Sequence, residues 1–221
     1  MTGINDEGVI DGAYSSGSVY GGFAAAPSKT PDTTLNPYTT FAAESDGTRN
    51  TYLSGLDNGT GRNVNSEFMA GYAAGSGGYP QGVVLRGSGG WTGLISDPSQ
   101  GSGTCAVTEV LGINDSRMGV GFYDTGSGSG PCTEHAFEFY SNVGLTTPYT
   151  FVNLTPTDPF GCSQSATSAA ATGINVLGDV VGYVTCTTGS SPLTAAWMYR
   201  QLKYSTLCYT PNVTAISCNA N

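Results

Sequence analysis

Positive charge is the scarcest thing in this sequence. Seven Lys and Arg stand against sixteen Asp and Glu, giving a net charge of -9, and His135 is the single histidine. That balance excludes partners held through phosphate, so neither nucleic acid nor an anionic membrane surface is expected. Charged residues of both signs make up only 10% of the chain, far below the usual share for a globular domain. No apolar run approaches the roughly 20 residues of a spanning helix, so no membrane span is expected. Close Cys or His pairs of the zinc-binding kind are missing. So are a nucleophile elbow of the GxSxG type, an HExxH helix and a phosphate loop with its lysine. No catalytic, cofactor-binding or metal-ligating residue is assigned, and no cofactor is expected.

Cysteine is sparse and lies only from residue 105 onward: Cys105, Cys132, Cys162, Cys186, Cys208 and Cys218. An even number without CxxC spacing reads as a disulfide framework in an oxidising compartment. One cysteine precedes and one follows each of the later hairpin motifs, so repeat-local pairs are expected: Cys105–Cys132, Cys162–Cys186 and Cys208–Cys218. Asn58, Asn114, Asn153 and Asn212 head N-x-Ser/Thr sequons and are the candidate glycosylation sites of an extracellular or cell-surface protein.

What the chain has in abundance is glycine, 33 residues, and a repeated phrase. Gly173-Ile174-Asn175-Val176-Leu177-Gly178-Asp179-Val180-Val181-Gly182-Tyr183 returns as Gly3-Ile4-Asn5 through Gly12 and as Gly112-Ile113-Asn114 through Gly121. A shortened copy runs from Val64-Asn65 through Phe68 to Gly71-Tyr72, which puts the hairpin asparagines at Asn5, Asn65, Asn114 and Asn175. An Asn side chain can bond its own backbone two residues on, and Gly8 or Gly178 supplies a positive φ. Each phrase is therefore predicted to be a β-hairpin. The closing Gly12, Gly71, Gly121 and Gly182 are predicted to mark a bulge or a close backbone approach. Calcium-binding loops carry a denser carboxylate series than these turns do.

Short apolar strands follow each hairpin, as in His135-Ala136-Phe137 and Ala196-Trp197-Met198, and then an aromatic-led strand such as Tyr149-Thr150-Phe151. Each repeat thus holds about four short strands. The approximate repeats are residues 1–49, 50–103, 104–161 and 162–221, all within a single domain. Tandem four-stranded units of this length predict an all-β fold, a β-propeller of about four blades. An elongated β-repeat stack is the alternative. Met1 stands directly against the first motif, which reads as a fragment. Residues 1–4 lack the strand that precedes the other hairpins, so the C-terminal stretch Asn212–Cys218 is expected to complete the first blade.

With the Gly-Ile-Asn hairpins and the His135-Ala136-Phe137 triplet in view, the chain resembles the bacterial "probable extracellular repeat, HAF family" over nearly its whole length. It departs from that pattern in keeping His only at position 135 and in the shortened copy at Phe68. The resemblance implies an exported, propeller-like protein and transfers no catalytic residue.

The remaining candidates are few. Glu109, Asp124, Glu134 and Glu138 cluster in the third repeat and offer the one acidic neighbourhood for a ligand or cation. His135 reads as a structural or surface histidine, and Gly126–Gly130 as a plain loop. Trp91, Trp197, Tyr38, Tyr149 and Tyr204 recur at equivalent positions and are expected to pack between blades, leaving Tyr72, Tyr79, Tyr123 and Tyr140 for the surface. The leading expectation is a non-enzymatic structural or matrix protein, a homo-oligomer or larger assembly. A carbohydrate- or protein-binding propeller with a glycan partner is the alternative, and a glycosidase the third reading.

Overall fold

The structure is a computed structural model, and it describes residues 1–17, 19–26, 39–41, 50–59, 67–74, 76–88, 93–141, 149–156, 167–188, 191–200 and 203–207. Among these residues there is no α-helix, and fifteen strands form four antiparallel sheets. The first sheet runs β1 (Gly3–Ile4), β2 (Ile10–Ser16), β3 (Val19–Ala25) and β4 (Thr39–Phe41). The second has β5 (Thr51–Leu56), β6 (Phe68–Ala74) and β7 (Pro80–Arg86). The third is β8 (Thr108–Ile113), β9 (Met118–Thr125), β10 (Thr133–Ser141) and β11 (Tyr149–Asn153). The fourth is β12 (Thr167–Ile174), β13 (Val180–Thr188), β14 (Ser191–Arg200) and β15 (Lys203–Leu207). Every sheet is an up-and-down meander in chain order.

Among the described residues the second sheet has three strands. In place of a fourth, Ile95 makes an isolated bridge to Gly82, with bonds of 2.9 and 2.7 Å in the two directions. The expectation that residues 1–4 carry no strand is corrected, because β1 pairs with β2 through Gly3↔Asp11 and Ile4↔Ile10. It is nevertheless only two residues long, against six in β5 and β8 and eight in β12. Asn212–Cys218 lies outside the described residues.

Three apolar interfaces join the sheets in chain order. Ala24 packs with Leu53, Met69, Val83 and Leu85 between the first and second. Phe68, Ala70, Val84 and Ile95 meet Val110, Phe137 and Phe139 between the second and third. Val120, Ala136 and Leu154 meet Ala169, Ala171, Val184 and Trp197 between the third and fourth. Small residues let the inner strand of each sheet sit close on the sheet before it. Side-chain carbons on Gly71, Gly121 and Gly182 would collide with the carbonyl oxygens of Tyr52, Glu109 and Ala170. Opposite those glycines the register slips by one residue, between Leu53 and Gly55, Val110 and Gly112, and Ala171 and Gly173. The bulge places Gly55 against the backbone of Gly112, and Gly112 against Gly173. One bulge geometry therefore recurs in three sheets.

Candidate functional site

The turns that carry the repeated asparagine gather at one end of the inner strands. In the first, third and fourth repeats Oδ1 accepts two backbone N–H groups: Glu7 and Val9 on Asn5, Ser116 and Met118 on Asn114, Leu177 and Asp179 on Asn175. Gly8 and Gly178 take the positive φ at 79° and 82°, and Arg117 occupies the same place at 61°. The second repeat departs from the expectation. Its turn residue is Asp57, whose Oδ1 accepts the N–H of Phe68 at 2.8 Å in the place where Asn5 holds Val9. Asn65 lies outside the described residues. The signal in the sequence is Gly55-Leu56-Asp57-Asn58, in which Asp replaces Asn and an insertion delays the return strand.

The asparagine amide has a second use. Nδ2 of Asn5 donates to the Asp57 carbonyl at 2.9 Å, and Nδ2 of Asn114 to the Asn175 carbonyl at 3.0 Å. Each turn thereby holds the next. Asp57 has no amide to donate, and there Asn58 takes over, its N–H reaching Oδ1 of Asp115 at 2.8 Å. Asn175 turns its amide back on Asp179 instead, at 3.1 Å. Ile4, Leu56, Ile113 and Ile174, one from each sheet, line a cavity of about 260 Å³ behind these turns.

At the opposite end, β8, β9, β10 and β13 bring together Glu109, Asp124, Glu134 and Tyr183. Asp124 and Glu134 are direct cross-strand partners, and Glu109 sits opposite Phe122, two residues from Asp124. The Tyr183 hydroxyl donates to Oε2 of Glu134 at 3.1 Å. Burial, then repulsion from Asp124 and Glu134, pushes the Glu109 carboxyl up to about 7. Burial, then Glu134, pushes Asp124 up to about 6. Tyr183 is pushed up to about 12 by burial and by the same carboxylates. Glu138 stands apart from this group, raised by burial alone. Tyr20, Tyr52 and Tyr72 stack in a row, with centroids 5.2 and 4.9 Å apart. Tyr72 ends near enough to Glu109 to feel its charge.

Glu134 also lines the cleft between the third and fourth sheets, a space of about 160 Å³. Its apolar wall comes from Ala136, Leu154, Pro156 and Ala169, and its polar groups include His135, Asn153 and Thr167. His135 stacks on Tyr123 at 5.3 Å and sets Nε2 2.9 Å from the Thr125 hydroxyl. Burial holds the imidazole below its ordinary pKa, with Asp97 opposing. Tyr123, expected at the surface, is buried because it packs against Phe137 in the interface with the second sheet. Trp197 is buried between sheets as expected, while Tyr149 packs within its own sheet on Phe139. Tyr79 is half-buried and Tyr140 exposed. Tyr38 and Trp91 lie outside the described residues, as do the surroundings of the Tyr204 side chain.

Cys105–Cys132 is a disulfide that closes the third repeat on itself, as expected. Cys186 is also disulfide-bonded, to a partner outside the described residues, where Cys162, Cys208 and Cys218 lie. Gly126–Gly130 packs beside the first of these bridges, Ser102 and Thr104 donating to the carbonyls of Gly126 and Gly128. Among the sequons, Asn114 is buried with its amide engaged, Asn58 is half-buried and bonded to Asp115, and Asn153 is exposed on the cleft. Asn212 lies outside the described residues. No group of three or more Asp, Glu, His or Cys among the described residues is arranged to hold a metal ion. None of the described helical segments is long and apolar enough to cross a membrane. Comparison with protein-family models, with curated proteins and with solved structures finds no match.

Proposed function

We propose that this chain is an extracellular, non-enzymatic binding module, a four-bladed propeller-like ring that presents an inter-blade cleft to a polyhydroxylated ligand such as a glycan. The cleft between the third and fourth sheets carries the reading. It pairs an apolar wall with a small set of hydrogen-bonding groups, Glu134, His135 and Asn153, which is the usual make-up of a small-ligand site. The ring is supported by the shared axial cavity, to which every sheet contributes. The disulfide supports the compartment. Titration calorimetry against neutral oligosaccharides tests the reading, with Thr155→Trp filling the cleft from its exposed lip. Binding that Thr155→Trp abolishes upholds it, and binding untouched by that change rules the cleft out as the site.

Self-assembly into a fibre or surface layer is the second reading. It is favoured by exposed apolar side chains on both terminal sheets, Tyr14 and Val19 on the first and Val181 and Leu193 on the fourth. Among the described residues the inner strand of the first sheet is also short and pairs only with the Ile10–Asp11 end of β2, an edge that a strand of a neighbouring chain can extend. Light scattering on the dilute protein separates the two: a 22.6 kDa particle favours the module, and large assemblies favour the fibre.

A further inference from the structure

We infer that the ligand of this cleft carries a protonated amine, and that Glu134 selects for it, with Glu109 and Asp124 reinforcing the charge. Chemically this is a primary ammonium on a polyhydroxylated ring, as in a glucosamine oligomer. The inference rests on the cleft being the binding site and goes further, to what distinguishes one sugar from another.

Among the described residues Glu134 is the one carboxylate on the cleft wall, and it belongs at the same time to the Glu109–Asp124–Glu134 group. Among the described residues no Lys or Arg contributes to the shifts of Glu109 or Asp124. Oδ1 of Asp124 is buried with no hydrogen-bond partner, so an acceptor stands unused beside Glu134. Like-charged residues placed directly across a strand pair are destabilising on their own. A cation is the missing complement. The Tyr183 hydroxyl, donating to Oε2, fixes the Glu134 side chain and leaves Oε1 for a ligand. Ala136, Leu154 and Ala169 meanwhile offer the apolar surface that a sugar ring covers.

A buried metal ion fits less well, because the three carboxyls are not arranged as ligands. An ammonium needs no fixed coordination sphere. It donates up to three hydrogen bonds, and at the rim of a low-dielectric cleft its attraction to Glu134, and to the ionised share of Asp124 and Glu109, is felt over several ångströms.

Calorimetry on the full chain at neutral pH tests this with three probes: cellotetraose, the glucosamine tetramer, and the same tetramer N-acetylated. The glucosamine tetramer is expected to bind at least tenfold tighter than either neutral probe. Raising NaCl from about 50 to about 500 mM should remove most of that advantage, as screening requires. Glu134→Gln, folded by circular dichroism, should bring all three probes to one affinity. The salt series on the unaltered protein decides between amine and neutral recognition even where that variant fails to fold. Equal affinities for the three probes would overturn the amine and leave the cleft as a neutral-glycan site. A preference that survives Glu134→Gln would overturn the role of Glu134. No binding of any probe would overturn both the amine and the cleft.

Discussion

The side-chain amide of Asn5 crosses a sheet boundary to donate to Oε2 of Glu67 at 3.1 Å, tying the first repeat's turn to a carboxyl that is fully buried in the second. Burial, followed by the neighbouring Asp57, pushes Glu67 up to about 8. An acid whose pKa is higher folded than unfolded binds more protons when folded, so its contribution to stability is complete below the unfolded value and lost as pH rises through the folded one. Unfolding free energy from urea titrations should therefore fall by about 4 kcal/mol between about pH 5 and pH 8.5. Glu67→Gln still accepts from Asn5 and cannot ionise. Its slope should shrink rather than vanish, since Asp11 and Glu109 are raised by burial in the same direction. A slope of the same size in the variant would remove Glu67 as its source.

Asn114 does two jobs that substitution can separate. Its Oδ1 closes its own turn on Ser116 and Met118, and its Nδ2 holds the Asn175 carbonyl of the next turn. Asn114→Asp keeps the first and loses the second, and should cost about 1 kcal/mol for a part-buried hydrogen bond, since the Asn175 carbonyl keeps the Gly178 N–H. Asn114→Ala loses both and should cost about 1 kcal/mol more. Hydrogen exchange distinguishes them. The Asp variant should loosen the Asn175 turn and spare Ser116 and Met118, whereas the Ala variant should loosen both turns.

Local chemistry is legible in the sequence and long-range chemistry is not. The Asn5, Asn114 and Asn175 turns close within five residues, and Gly8 and Gly178 announce their own φ, so reading along the chain suffices. The second repeat defeats that reading because Asp57 does the work of Asn while Phe68, its partner, lies eleven positions on. Phe137 and Trp197 are recognisable as core from their place in the period. The cleft is not, since Glu134, Leu154 and Ala169 meet only when two sheets pack. Glu109, Asp124, Glu134 and Glu138 are neighbours in sequence, but cross-strand register decides which of the acids group, and it excludes Glu138.

Gly121 faces a backbone oxygen rather than a flexible side chain. A methyl group there would overlap the Glu109 carbonyl at the bulge, and neither strand has room to retreat, because Gly112 is already against Gly173. Gly121→Ala should cost about 3 kcal/mol or more, in the range of overpacked cores and broken ladders. Gly128→Ala is the informative contrast. Its φ of 66° is strained for a side chain, yet nothing lies within reach of the added carbon. It should cost about 1 kcal/mol. Thermal melts of the two variants check this, and a loss at Gly121 no larger than that at Gly128 would show that the strands relax around the added carbon.

Cys105 and Cys132 stand 27 residues apart, and their bond anchors the loop before β8 to the loop before β10, at the end of the sheet that bears Asp124 and Glu134. Closing a loop of that length removes unfolded-chain entropy worth about 3.5 kcal/mol. The double variant Cys105→Ser/Cys132→Ser should lose about that much in urea titrations. The larger consequence is local: Gly101 and Ser102 donate to the carbonyls of Asp124 and Gly126 beside the bridge, so their exchange should quicken first. Peptide mapping without reductant fixes the rest of the framework. It should return Cys105 linked to Cys132, and Cys186 linked to Cys162. A Cys186 link to Cys208 or Cys218 would instead join the fourth sheet's middle strand to the tail, and would replace repeat-local pairing with a clasp on the end of the chain.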